Sequence, residues 1–310
     1  MALLILAAAL LVISGPAVAL PDDEDVGGHE GRGGSHHPFR LTILHNNDAE
    51  SDLINAGSGL EDFGGADRFG GVVRELRMEA LAPVRPGVTS ASVMLSSGDN
   101  FLAGPEFNAS LEKGRPYYDA IGMDIIGYDA VCIGNHEFDF GPDVLENFIR
   151  SIRGKTPFVS ANLDVSGEPG LQDLADEGSI VRSVIVKKRG RKIGVVGATT
   201  EFLSFISSPR NVVVNEVAPA VQSEVDQLMA NGANIIILIS HLQSIQEDMM
   251  LATELSDIDV FIAGGGDELL AHPGDLLLPG DEEEIYGPYP LWATDADGLD
   301  VPVITTSGGY

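Results

Sequence analysis

The pattern of apolar residues predicts an α/β layer fold, and three observations carry that prediction. From Arg40 onward, short runs of Val, Ile and Leu alternate with stretches of helical spacing. The runs are continuous rather than alternating, the signature of strands buried on both faces. The chain has 310 residues and 44% hydrophobic content, which supplies a real core and excludes global disorder.

In order, Leu41–Leu44 reads as a strand that ends in His45-Asn46-Asn47-Asp48. Gly64-Gly65-Ala66-Asp67-Arg68 is a helix entry turn, and residues 72–81 have helical spacing. A second strand over 92–95 ends in Ser96-Ser97-Gly98-Asp99, and 117–126 is helical. A third over 130–133 ends in Gly134-Asn135-His136-Glu137, and 144–152 is helical. Residues 158–161 form a short strand. The runs 181–186 and 192–197 flank Lys188-Arg189-Gly190-Arg191 as a hairpin. A helix over 217–229 precedes a strand over 235–239 that ends in Ser240-His241. After a further helix, the strand 260–262 ends in Ala263-Gly264-Gly265-Gly266-Asp267-Glu268. Residues 278–300 are rich in acid, Pro and Gly and read as a surface excursion, and 301–304 as a last strand.

The N-terminus reads as an address. An apolar run over residues 3–13, then Ser14-Gly15-Pro16 and the small-x-small Ala17-Val18-Ala19, marks residues 1–19 as a secretory signal. The run is too short to span a bilayer, so no integral membrane segment is expected in the mature chain. Residues 20–39 form an acidic, Gly- and His-containing flexible leader, and 40–310 the folded body. Cys132 is the single cysteine, so no intrachain disulfide is available and the fold stands on its core. Lys and Arg total 18 against 47 Asp and Glu, a net charge of −29, which argues against nucleic-acid backbone binding.

Five apolar strands each end in a metal-competent group: Asp48 with Glu50, Asp99, Asn135 with His136, His241, and Asp267 with Glu268. Strand-end loops of an open α/β sheet converge, so these groups should meet. Carboxylate, amide and imidazole together suit a two-metal centre with an imidazole for acid–base work. Singly, each has a plainer reading as a cap, a turn residue or a satisfied polar group at the core edge.

The strings 44–48, Ser97-Gly98-Asp99-Asn100, Gly134-Asn135-His136-Glu137-Phe138-Asp139 and Ser240-His241-Leu242 resemble the calcineurin-like metallophosphoesterases. The likeness is strongest to the secreted 5′-nucleotidase and 2′,3′-cyclic-nucleotide phosphodiesterase branch, and runs from about residue 41 to 310. The resemblance implies a four-layer αββα sandwich. It implies that Asp99 bridges two metals, with Asp48 on the first and Asn135 and His241 on the second. It makes His136 the group that contacts phosphate and serves the leaving oxygen, oriented by Asp139, with Asn100 beside it in substrate binding. It also implies a metal-bound hydroxide as nucleophile. Members of this branch usually carry a C-terminal nucleotidase domain that stacks the base, and this chain reads as truncated before it.

The sequence departs from the family at three places. Asp48-Ala49-Glu50 stands for Asp-x-His, and Gly265-Gly266-Asp267-Glu268 for Gly-His-x-His. Glu50 and Glu268 take the places of histidines on the first metal, and Gly266, with Asp267 beside it, that of one on the second. Oxygen donors favour hard ions, so two ions drawn from Mn, Fe, Mg or Ca, divalent or mixed-valence, are expected rather than Zn. Asp48, Glu50, Asp99 and Glu268 bring four negative charges, which two divalent cations only cancel. That balance calls for one trivalent ion or a substrate of low charge, such as a diester. The reading is a secreted, periplasmic or extracellular, metal-dependent hydrolase whose partner is a small-molecule phosphate ester or nucleotide, 5′-nucleotidase-like. The alternatives are a phosphodiesterase or other ester hydrolase of the same fold, and a non-catalytic extracellular metal-binding module.

Overall fold

The computed structural model describes residues 11–12, 38–83 and 86–310. The segments read from the sequence as a signal peptide and leader therefore lie almost wholly outside the described residues, apart from Leu11–Val12, which pair antiparallel with Ile43 and Thr42, and residues 38–39.

The body is built from two six-stranded sheets. The first contains β1 (Phe39–Asn46), β2 (Thr89–Ser96), β3 (Ala130–Cys132), β4 (Phe158–Val159) and β5 (Ile180–Val181), paired parallel in that order. The second contains β6 (Ser183–Lys188), β7 (Arg191–Thr199), β8 (Ile235–His241), β9 (Val260–Ile262), β10 (Leu291–Thr294) and β11 (Asp300–Ile304). Its order is β10-β11-β9-β8-β7-β6, parallel in the middle and closed by an antiparallel strand at each edge.

Successive side chains of a strand point to opposite faces, and the apolar residues divide accordingly. Ile43, Val93, Leu95 and Cys132 of the first sheet meet Val195, Ile237, Ile239 and Ile262 of the second in a buried layer between the sheets. The intervening residues Leu44, Met94 and Val131 face outward, against helices α1 (Ala66–Leu81), α3 (Tyr118–Ile126) and α4 (Pro142–Ile149). Between α1 and α3 lies α2 (Pro105–Lys113), and α5 (Pro169–Asp176) follows α4. On the other side, Val196, Ile236, Leu238 and Phe261 pack against α6 (Val217–Ala230) and α7 (Ile245–Ala252). Three apolar layers between helix, sheet, sheet and helix make a four-layer αββα sandwich.

Three elements differ from the sequence reading. Helix α1 begins six residues earlier than residue 72 and runs through Gly70-Gly71, because burial of Phe69 and Val73 outweighs the low helix propensity of that pair. Helix α2 is not evident in the pattern; it seats Phe107, whose ring stacks on Phe101 with centroids 4.2 Å apart. The excursion over 278–300 contains β10, an edge strand with Ala293 buried and Trp292 and Thr294 exposed. Its single inward residue and short length hide it within an acidic, Gly/Pro-rich context.

Candidate metal centre

Strands β2 and β3 are parallel in the first sheet and β8 is parallel to its neighbours in the second, and the ends of the three meet where His241 contacts Ser97, Asp99 and Asn135. The turn after β1 brings Asp48 to it through Asp48 N–H donating to the Gly98 carbonyl at 3.0 Å. Asp48, Glu50, Ser51 and Asp99 are four of the seven non-glycine residues with positive φ among the described residues. Strain of this kind persists only where surrounding contacts over-determine the turn, and it clusters in the two turns that carry Asp48 and Asp99.

Among the described residues, Asp48, Asp99 and His241 form the one group of three or more His, Cys, Asp or Glu with donor atoms close enough for a shared cation, all within 4.8 Å of one another. His241 is fully buried. Its Nδ1 faces the Ser97 carbonyl at 2.8 Å. Its Nε2 lies 2.9 Å from Asp99 Oδ2, 3.2 Å from Asn135 Oδ1 and 4.0 Å from Asp48 Oδ1. With Nδ1–H donated to Ser97, the Nε2 lone pair points into three oxygens. That arrangement requires a positive charge, either an imidazolium proton or a cation. Burial opposes a charged His241, but the Asp99 and Asp48 carboxylates outweigh it and hold its pKa up at about 10. Burial, together with the Asp99 charge, pushes the Asp48 carboxyl up, while its charge interaction with His241 acts the other way. Asp99 goes down: burial opposes its ionisation, and the His241 charge and hydrogen bond override it. The donor set fits a divalent cation, because it already gathers two carboxylates and a tautomer-locked imidazole around one point.

Further hydrogen bonds support this set. Asp48 Oδ2 accepts from Asn47 Nδ2 at 2.6 Å and from the Gly265 N–H at 3.1 Å. Gln243 Nε2 donates to Asn135 Oδ1 at 3.1 Å. Asp99 Oδ1 accepts the His136 N–H at 2.8 Å. Glu137, fully buried, accepts from the N–H groups of Gly134, Asp99 and Asn100 and from Asn100 Nδ2, at 2.7 to 3.0 Å. A Cβ at Gly134 would collide with Asp99 Oδ1 and come within 2.8 Å of the Asp99 backbone nitrogen, so only glycine lets that strand end approach so closely.

His136 sits at the edge of the site, with 29% of its side chain exposed. Its Nδ1 is 2.8 Å from Asp139 Oδ2, and its Nε2 is 3.9 Å from Asp99 Oδ2. Burial disfavours its charge, but the Asp139 hydrogen bond and the charges of Asp99, Asp139 and Glu50 prevail and raise it to about 9. Glu50 is half-buried near this group; burial and the Asp48 charge push its carboxyl up to about 7.

The other residues singled out in the sequence lie differently. Asn100 is fully buried, and its amide is engaged by Ser96 Oγ and Glu137 rather than facing open space. Asp267 is exposed. Glu268 Oε1 accepts the Ile245 N–H at 3.3 Å, at the start of α7. Neither joins the Asp48–Asp99–His241 group; both line an open depression with Gln243, Glu283, Glu284 and Tyr286. A Cβ at Gly266 would collide with Glu268 Oε2, so a side chain there would force Glu268 to move. His45 lies in the core, with Nε2 2.9 Å from the Tyr289 hydroxyl and its pKa pushed down to about 4 by burial. Sequence reasoning passed over Glu137 and Gln243 as site residues. Glu137 sits inside the 134–139 string, but its role depends on donors 37 and 38 positions away.

No family model matches the chain. The apyrase of Anopheles gambiae is 31% identical over 276 residues, covering 83% of this chain and 44% of that protein. The 5′-nucleotidase precursor of Thermus thermophilus superposes with a TM-score of 0.72 at 30% identity, covering 86% of this chain and 49% of its own. A calcineurin-like phosphoesterase of Bacillus subtilis, with a TM-score of 0.59 at 19% identity over 86% of this chain and 81% of its own, shares the fold. The chain spans about half the length of the curated relatives it matches. Fold, converging strand ends and these likenesses together show that the chain has the calcineurin-like phosphoesterase fold and resembles the 5′-nucleotidases and an apyrase over most of its own length.

Proposed function

We propose that this chain is the catalytic portion of a secreted, metal-dependent hydrolase of phosphate esters, with nucleotides the leading substrate class. The observation that carries the reading is the pairing of two units at one strand-end surface. One is the Asp48–Asp99–His241 group around a single point. The other is the partly exposed His136 held by Asp139 beside it. Names of relatives, 5′-nucleotidase and apyrase, support the substrate class. The apolar run ahead of a polar leader supports secretion.

Asp48, Asp99 and His241 would hold one cation, with Asn135 completing the set. Glu50, raised to about 7 and within the field of Asp48 and Asp99, is the candidate that extends it toward a second. When bound, such ions neutralise phosphoryl oxygens and make a nearby water more acidic. His136, held by Asp139 and raised by the carboxylates around it, is the group placed to give a proton to the leaving oxygen. Asp139 accepts from Nδ1, which fixes the ring and leaves Nε2–H to face the substrate. Glu137 holds the turns of Asp99 and Gly134 together by accepting their N–H groups.

One observation favours a second reading, a single-cation binding module without turnover. Glu268 is engaged at the start of α7 and Asp267 is exposed, so neither supplies a ligand as folded. Elemental analysis of the purified chain, paired with hydrolysis of 4-nitrophenyl phosphate and its diester, separates the two. Two hard ions with metal-dependent turnover support the hydrolase. Two zinc ions would sink the hard-ion expectation, and stoichiometric metal without turnover would favour the module.

A further inference from the structure

Gln243 reaches the centre from the turn after β8, two residues beyond His241. Its side chain is partly buried, and both of its hydrogen bonds leave from Nε2. One goes to Asn135 Oδ1 at 3.1 Å, the other to the Leu242 carbonyl at 2.8 Å. Asn135 Oδ1 is in turn 3.2 Å from His241 Nε2. The Gln243 amide therefore adjoins the His241–Asn135 edge of the donor group.

Among the described residues, the segment that crosses this edge brings no side-chain donor of its own to it. Gly265 and Gly266 lie over the turn that follows His241, and with Gln243 they line one open depression. A Cβ at Gly265 would collide with the Leu242 carbonyl and stand 3.0 Å from His241 Nε2, so only glycine passes so close to the imidazole. Asp267 beyond them is exposed, and Glu268 Oε1 accepts the Ile245 N–H.

An amide has a donor end and an acceptor end, exchanged by a half-turn about its last torsion. With Nε2 inward, Gln243 donates to Asn135 Oδ1, and a proton on His241 Nε2 supplies the positive charge. With Oε1 inward, the Gln243, Asn135 and Leu242 carbonyl oxygens gather beside the His241 Nε2 lone pair. Three oxygens and a lone pair repel one another unless a cation lies among them, and oxygens in the majority suit a hard ion. Charge also favours an amide at this position. Two divalent cations against the carboxylates of Asp48, Glu50 and Asp99 leave one positive charge to draw a phosphate ester. A further carboxylate would cancel it, whereas a neutral oxygen donor keeps it.

We propose that Gln243 Oε1 is a ligand to a cation on the His241–Asn135 side, separate from the one that Asp48 and Glu50 face, with Asp99 between them. This rests on the two-ion hydrolase reading above.

The test is Mn titration of the metal-stripped full chain by calorimetry, with electron paramagnetic resonance to tell a spin-coupled Mn pair from an isolated ion. The parent is compared with Gln243→Ala, Gln243→Met and Gln243→Glu. Met keeps the reach of the side chain and drops the oxygen, so the test stands if the alanine variant does not fold. In the Ala and Met variants the affinity for one of two Mn ions should fall by more than about 100-fold, with loss of the pair signal. Removal of a mere outer hydrogen-bond partner brings only about 10- to 100-fold. Glu offers an oxygen but no N–H to Asn135, so it should keep both ions. Loss of the pair in Gln243→Glu would mean that Gln243 serves only as a donor to Asn135, and overturns the inference. Ala and Met variants that lose affinity by about 100-fold or less also overturn it. In both cases a parent that holds two ions and hydrolyses 4-nitrophenyl phosphate leaves the hydrolase reading in place. A parent that holds one Mn or none overturns both.

Discussion

Two buried carboxylates back the site from opposite sheets, and their surroundings differ. Glu137, behind Asp99, accepts four N–H donors, two on each oxygen. Asp248, on α7 behind β8, accepts only from Ser240 Oγ, and its Oδ2 has no protein partner. Burial pushes both up to about 7, but the Asn100 donors work against that at Glu137. At Asp248 the Ser240 hydroxyl opposes it, while the Glu247 charge reinforces it. Donors on both oxygens make Glu137 a clamp that needs a carboxylate, because an amide there would aim N–H at N–H. Asp248 needs no more than a neutral acceptor. The first-sheet side is thus organised around a carboxyl group that four donors hold in place, and the second-sheet side around one that a single hydroxyl holds.

The largest effect expected lies in front of both. His136→Ala should lower turnover by about 10²- to 10⁴-fold while metal content persists, measured as kcat alongside elemental analysis. A variant that loses nothing would favour the module reading. Next, Glu137→Gln should weaken metal affinity by about 10- to 100-fold, through misplacement of Asp99. It should also cost about 1–3 kcal/mol of stability in denaturant titration. An unaffected variant would break the contrast with Asp248.

The third prediction concerns pH. Asp248 titrates at about 7 when folded, against an ordinary value of 3.8, so between about pH 4 and 7 the folded state binds the extra proton. Its contribution to stability is therefore present below that window and lost as pH rises through it. Asp248→Asn should flatten this fall, leaving the thermal midpoint near parental at pH 5 and higher than parental at pH 8. A parental profile in the variant would show that the carboxyl is not the source. The smallest effect belongs to Glu268→Gln. It should cost no more than about 1 kcal/mol by weakening the hold on α7, with metal stoichiometry unchanged. Loss of an ion in that variant would return Glu268 to the ligand set.

Much of the site was legible because its residues sit at strand ends. The continuous runs before Asp48, Asp99, Asn135 and His241 mark buried parallel strands, and parallel strands bring their carboxyl ends together. The 134–139 string likewise places His136 and Asp139 three positions apart, where a short 3₁₀ turn brings them to 2.8 Å. Glu268 was less legible. Its position suits a ligand, but the start of α7 in the folded chain offers an N–H that competes for the same oxygen. Asn100 likewise sits in a site motif, yet Ser96 and Glu137 draw its amide inward. Helix α2 and strand β10 stay hidden in the sequence because each is short and buries few residues.

The sequence by itself determined the α/β class and the strand ends that carry chemistry, which follow from local hydrophobic period, and through its short strings the resemblance that implies the four layers. Only the tertiary structure decided which carboxylates face one another, which are drawn into hydrogen bonds elsewhere, and that Gln243 brings its amide to Asn135. Those outcomes depend on competition between groups far apart in the chain, where burial and available donors, rather than residue type, select the partner.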